Sequence, residues 1–177
     1  SFDPIPRDAA TAARQGWKGP LVPVEGHANA WAPMAVDAAR GLVFVPTSSP
    51  SPDFFGGMRP GDNRYANSVV ALRGSTGEVV WSFQTVHHDV WDWGTPAQPM
   101  LVDVPKDGRS VPAVVVLTKQ SLVFVLDRTT GQPLFPVEER RVPTAGADGE
   151  KLSETQPLPL APPPFARHHL TEDMLTR

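Results

Sequence analysis

Nine consecutive residues, Thr85-Val86-His87-His88-Asp89-Val90-Trp91-Asp92-Trp93, hold two imidazoles, two carboxylates and two indoles at the end of a strand-like stretch. Two histidines and a carboxylate are the ligand types of a mononuclear metal site. Neighbouring side chains on an extended strand point to opposite faces, however, so His87 and His88 make poor partners for one ion. The same run has a plainer use, with Trp91 and Trp93 as core aromatics and Asp89 and Asp92 as turn formers. Lys119 is the second notable position, because it interrupts the apolar context Val114-Val115-Val116-Leu117-Thr118-Lys119-Gln120-Ser121-Leu122-Val123. An ammonium buried there needs a partner, and an anionic or carbonyl-bearing ligand would supply one. In a hairpin turn it would point at water instead.

The elements that must position these residues read as strands. β-Branched and apolar residues gather in short bursts bounded by Gly, Pro, Asp and Asn, which predicts eight strands near residues 32–36, 42–46, 68–72, 79–85, 100–104, 113–117, 122–126 and 133–140. The connections 37–41, 73–77 and 127–131 each end in glycine, as hairpin turns with one left-handed residue require. Consecutive strands are therefore expected to be antiparallel. Ala71 to Trp81 and Val125 to Phe135 form a repeat: a Thr-Gly turn is followed four residues later by a large aromatic, and the two copies are 54 residues apart. Four strands per repeat is the content of one propeller blade, and two blades cannot close a ring that needs about four to eight. Either the rest of the ring lies outside this chain or the sheets form an open sandwich. Residues 1–30 and the Pro-rich stretch 142–177 read as irregular cover or linker, with one or two helical turns at 170–175 capped by Thr171.

Composition narrows the classes of function. The chain has 177 residues, 16 basic and 19 acidic side chains and a formal charge of −3, which argues against nucleic acid or an anionic membrane as main partner. Forty per cent hydrophobic content supports a packed core, yet no run approaches the roughly 18 apolar residues of a membrane span. The absence of cysteine excludes disulfides, thiolate nucleophiles and zinc–cysteine sites. With 21 prolines and 14 glycines the chain is turn-rich, so long helices are not expected. It opens at Ser1-Phe2-Asp3 with no leader and no initiating methionine, as a mature product or a piece of something larger would.

The run from Thr85 to Asp92, the Ala71 to Trp81 repeat before it, and Thr118-Lys119 followed by Val123-Phe124-Val125-Leu126-Asp127-Arg128-Thr129-Thr130-Gly131 together resemble the pyrroloquinoline-quinone (PQQ)-dependent glucose dehydrogenases. These belong to the quinoprotein dehydrogenases. The likeness runs from about Gly26 to Val142 and more loosely to the end. It implies an all-β fold, an eight-bladed propeller of which this chain holds about two four-stranded blades, with Pro-rich irregular termini. The blades would occupy residues 31–85 and 86–141, the second opening on the active-site loop, with 1–30 leading from a preceding blade and 142–177 toward the next.

The resemblance also implies roles. Asp92 takes the place of the general base, Lys119 bonds the quinone oxygens, and Trp31 lies beneath the quinone plane. A substrate hydroxyl must lose its proton as electrons leave its carbon, which a carboxylate within reach assists. An ordinary aspartate, with a pKa of about 3.9, is a weak base, so the acceptor must be polarised by a bound cation, Ca or Mg. Lys119 would stabilise negative charge on the reduced quinone, and Trp31 would give the planar cofactor an apolar floor. One departure touches the metal: the related methanol dehydrogenases have an asparagine ligand after the second strand, where this chain reads Thr47-Ser48-Ser49-Pro50. Ser49 is the nearest candidate, with Asp92 as a further metal ligand. The expected partners are a glucose-like sugar, the remaining blades and a membrane quinone as electron acceptor, in a periplasmic enzyme attached to the inner membrane. The competing class is a non-catalytic envelope propeller that binds proteins, which has no reason to keep Trp31, Asp92 and Lys119 together.

Overall fold

A computed structural model describes residues 2–18, 28–169 and 171–175. Among the described residues a short helix α1 (Ala9–Arg14) is followed by nine strands: β1 (Ala35–Asp37), β2 (Leu42–Pro46), β3 (Ser68–Arg73), β4 (Val79–Gln84), β5 (Met100–Lys106), β6 (Arg109–Leu117), β7 (Val123–Asp127), β8 (Val137–Arg141) and β9 (Thr155–Pro159). They form three antiparallel sheets, β1-β2-β3-β4, β5-β6-β7 and β8-β9, each with its strands in sequence order.

The period-2 alternation of the strands builds the core. Register aligns Ala35, Phe44, Ala71 and Trp81 in one row across the first sheet, and Leu101, Val114 and Leu126 in a row across the second. These rows face each other with Val69, Val116, Leu122 and Phe124 in a single cluster. Phe83 meets Phe124 with ring centroids 5.2 Å apart. Each such large side chain removed from water contributes about 1.5–3 kcal/mol.

The seam between the sheets is the 54-residue repeat in physical form. The Trp81 indole Nε1 donates to the Arg128 carbonyl at 3.1 Å. Its ring lies flat against Gly131, where an added Cβ would stand 2.6 Å from ring atoms, and Gly131 has φ +74°. Arg128 ties the same seam by donating to Asp37 Oδ2 at 3.1 Å and to the Val102 carbonyl at 2.7 Å. Burial by itself would raise the Asp37 carboxyl, but the hydrogen bonds from Arg128 and Arg40 outweigh it and hold the group below its ordinary value.

Several expectations are corrected. The second sheet has three strands where four are expected: Pro133 makes only a single isolated bridge to Leu126. The following segment, β8, turns away and pairs with β9, in the stretch read as irregular cover. Pro157 and Pro159 are tolerated there because hydrogen bonds from Val142 N to Glu154 O and from Leu160 N to Pro136 O put the bonded pairs at even numbers, which leaves both prolines at non-bonded positions. The strand predicted from 32 begins at Ala35, after Pro33, and β5 and β6 run longer than predicted because Asp107 and Gly108, at φ 51° and 74°, close a two-residue hairpin. Helix α1 lies within the segment read as irregular, capped by the Asp8 carboxylate on Thr11 N. The turn at the far end is a 3₁₀ helix, Glu172–Met174, whose Thr171 makes no side-chain cap, and Leu170 lies outside the described residues.

Candidate active site

β2 and β4 run the same way in the first sheet, so the segments after them, Thr47–Pro50 and Thr85–Thr95, leave from the same end. Backbone bonds lace them together: Thr85 N to Asn67 O at 2.7 Å, Asn67 N to Ser48 O at 3.0 Å and Thr95 N to Thr47 O at 3.3 Å. Residues 28–31 join the same edge through Ala28 N to Ser49 O and Ser48 N to Asn29 O.

The two histidines lie beyond the end of β4, in a bend where His88 has φ 45°, and they point to different partners. His87 Nε2 is 3.1 Å from Glu139 Oε1, on β8. His88 turns inward, with Nδ1 at 2.7 Å from the Gly61 carbonyl and Nε2 at 2.9 Å from Glu150 Oε1. The His88 and Glu150 side chains are only 2% and 3% exposed. A Cβ on Gly56 would fall 2.2 Å from His88 Nε2, so that approach needs glycine. Burial would raise the Glu150 carboxyl, but bonds from His88 and the Gly56 amide prevail and lower it. Among the described residues no group of three or more His, Cys, Asp or Glu side chains is placed to hold a metal ion.

Asp89 is buried, and both oxygens of its carboxylate are hydrogen-bonded. Oδ1 accepts from Trp91 N at 2.9 Å, while Oδ2 accepts from Trp93 N at 2.8 Å, Asn67 Nδ2 at 2.7 Å and the Ser49 hydroxyl. Its carbonyl accepts from the guanidinium of Arg59, itself buried and bonded to Asn63 Oδ1 at 2.7 Å. Burial pushes the Arg59 guanidinium below its usual value against the pull of Asp89 and Glu150.

Asp92 stands in the same loop with φ 55°, in the left-handed region that few non-glycine residues occupy, aspartate among the more tolerant of them. Its Oδ2 meets Lys119 Nζ at 2.9 Å, and Lys119 also donates to the Asp92 carbonyl at 2.8 Å. Lys119 sits in the turn between β6 and β7, closed by Ser121 N to Thr118 O at 3.0 Å. It is thus a turn lysine that reaches a carboxylate instead of water. Both side chains stay accessible, 33% and 44% exposed. Asp92 Oδ1 makes no hydrogen bond among the described residues.

Of the four residues singled out from the sequence, the structure joins Asp92 and Lys119. Ser49 is fully buried, with its hydroxyl engaged by Asp89 and by Asn67 Nδ2 at 3.2 Å. Trp31 lies outside these contacts and is 57% exposed. Trp91 and Trp93 are not core residues: their rings stack at 4.6 Å, and Trp91 is 38% exposed. A cleft of about 630 Å³ lined by Phe2, Ile5, Val43, Val45 and Leu72 is mainly apolar and does not include Asp92 or Lys119. Asn67, Arg59 and Glu150 were missed by sequence reasoning. For Asn67 a signal existed, since pairing of Ser68 with Gln84 sets it opposite Thr85.

Known proteins resemble this chain along its whole length. The family described as PQQ, glucose/ethanol/alcohol dehydrogenase, beta-propeller domain, matches residues 1–177. Quinoprotein glucose dehydrogenase A of Acinetobacter calcoaceticus is 50% identical over 78% of this chain and 19% of its own length. A probable quinate dehydrogenase (quinone) of Xanthomonas campestris pv. juglandis is 47% identical over 84% of this chain and 19% of its own. Among solved structures, the quinohemoprotein alcohol dehydrogenase of Comamonas testosteroni superposes with a TM-score of 0.60 at 30% identity, covering 77% of this chain and 20% of that one. The chain thus spans about a fifth of the length of these relatives. The antiparallel sheets, the Trp81 seam and these matches agree: the chain belongs to the PQQ-dependent glucose/ethanol/alcohol dehydrogenase family, as a stretch of its β-propeller domain.

Proposed function

We propose that this chain carries the proton-accepting side of the redox centre in a PQQ-dependent dehydrogenase that oxidises a glucose-like aldose to its lactone. The observation that carries the reading is the 2.9 Å contact between Lys119 Nζ and Asp92 Oδ2, made between the loop after β4 and the turn after β6 and left open to solvent. A purely structural pair gains little from such exposure, whereas an ammonium and a carboxylate side by side at an open rim suit a carbonyl-bearing cofactor and an alcohol substrate.

The residues present fit the quinone in their chemistry. Lys119 has an ammonium to offer its carbonyl oxygens, and the exposed Trp31 indole offers an apolar face to stack on. They fit a divalent cation only in part: Asp92 has a free carboxylate oxygen, but Ser49 is fully buried and one lone pair of its hydroxyl already accepts from Asn67 Nδ2. Bound PQQ supplies the two-electron acceptor that the protein lacks. Asp92 accepts the proton of the substrate hydroxyl through Oδ1, while Lys119 holds Oδ2 and the Asp92 carbonyl and so fixes the direction of that oxygen. The remaining blades, with the sugar pocket, would come from a longer chain, placed in the periplasm at the inner membrane with a membrane quinone as its electron acceptor.

The test uses the full-length protein loaded with PQQ and calcium. Glucose-dependent dye reduction should fall by about 10²–10⁴ in Asp92→Asn, while the bound-quinone absorbance stays as in the parent protein. Undiminished turnover in that variant, or an inert parent protein across aldoses, would sink the reading.

A further inference from the structure

We propose that Asp89 is the positioning residue that holds Asp92 in its working orientation. The inference rests on the role proposed for Asp92 and deepens it. Asp92 has a left-handed backbone, a conformation that persists in a non-glycine residue only where the surroundings impose it. The amides on either side of it, Trp91 N and Trp93 N, both donate to the Asp89 carboxylate, one to each oxygen, at 2.9 and 2.8 Å. Residue 92 is therefore pinned at both flanks by a single side chain that never touches Lys119 or the open rim. The stacked rings of Trp91 and Trp93 close the same clamp from their side.

The clamp is anchored in turn. Asn67 Nδ2 and the Ser49 hydroxyl donate to Oδ2, and Arg59 holds the Asp89 carbonyl, so the carboxylate has no freedom to rotate. All of these anchors are buried. An amide in place of the carboxylate offers one acceptor oxygen and turns an NH₂ toward one of the Trp N–H groups, so it cannot hold both flanks. The chemistry at residue 89 accordingly has to be an ionised acid of this length.

The experiment compares Asp89→Asn with the parent full-length protein loaded with PQQ and calcium. We expect kcat to fall about 10- to 100-fold, with the sugar KM and quinone binding within about twofold. In the protein without sugar, acylation of Lys119 by an amine reagent, followed by mass spectrometry of its peptide, should quicken several-fold as its partner is loosened. If Lys119 reacts at the parental rate, whatever happens to kcat or to melting, the clamp is refuted. If Asp92→Asn keeps its turnover while Asp89→Asn still exposes Lys119, the assignment of Asp92 as base falls and the clamp stands. Should Asp89→Asn not fold, Asn67→Ala, which removes one anchor and leaves both flanking bonds, decides by the same acylation rate: faster supports the clamp and unchanged overturns it.

Discussion

Asp89 and Asp92 stand three residues apart in one loop, and the fold treats them in opposite ways. The first is 1% exposed and accepts from four donors; the second is nearly half exposed and is held at one oxygen by a lysine. A carboxylate buried and bonded at both oxygens is out of a substrate's reach, so its contribution is rigidity. A carboxylate with one oxygen committed and one open keeps a site for chemistry. Glu150 lies between them, buried like Asp89 but accepting from His88 and the Gly56 amide near the surface strap at 142–152. Together the three carboxylates form a series from enclosed to open, with the proposed reactive member, Asp92, at the open end.

The largest effect on stability is expected at the buried end of the series. Asp89→Ala leaves the Trp91, Trp93 and Asn67 N–H donors without an acceptor, and buried unsatisfied donors cost about 1–3 kcal/mol each, so a loss of roughly 3 kcal/mol or more is expected. Asp92→Ala, which frees a solvent-exposed ion pair, should cost under about 1 kcal/mol. Denaturant unfolding of both variants in the full-length protein measures the difference. Equal losses would erase the contrast between the two aspartates.

Parts of this arrangement are legible in the sequence because they depend on local chemistry. Gly41, Gly77 and Gly131 do have positive φ, and the spacing of Trp81 to the following repeat does mark the seam, since a glycine turn and an indole need each other at contact distance. The nearness of Asp92 and Lys119 came through family resemblance, not spacing. What stayed hidden depends on long-range pairing. Glu150 meets His88 across 62 residues, and nothing in either neighbourhood announces it. β9 reads as linker because prolines usually end strands, and only the register with β8 reveals that they sit where no N–H is needed. Helix α1 is six residues long, too short for periodicity to register against its Asp8 cap. In letters alone, Asp89 and Asp92 are interchangeable; their burial separates them.

The middle of the series gives a pH test. The folded Glu150 carboxyl lies below its ordinary value of 4.5, so the unfolded chain binds the proton more readily. Its stabilisation is complete above about 4.5 and fades as pH falls through the lowered folded value. Unfolding midpoints of the full-length protein between pH 6 and 3, in buffer with about 0.1 M salt, should decline less steeply in Glu150→Gln than in the parent. Parallel curves would mean that the His88 pair adds no pH-dependent stability.

The smallest effect belongs to Lys119. Its bond to Asp92 is short, but both side chains are a third or more exposed, and exposed pairs contribute about 0.2–1 kcal/mol because water and salt screen them and the long side chain loses freedom. Lys119→Met keeps most of the stem and removes the charge, so the unfolding midpoint should barely move, and raising salt in the parent protein should mimic the little that does. Turnover of the PQQ-loaded full-length protein should drop far more than stability does, since the ammonium both orients Asp92 and faces the quinone in the proposed site. A variant that loses stability and turnover in proportion would put Lys119 on the structural side of the series with Asp89, and the open end of the loop would then have no reactive member.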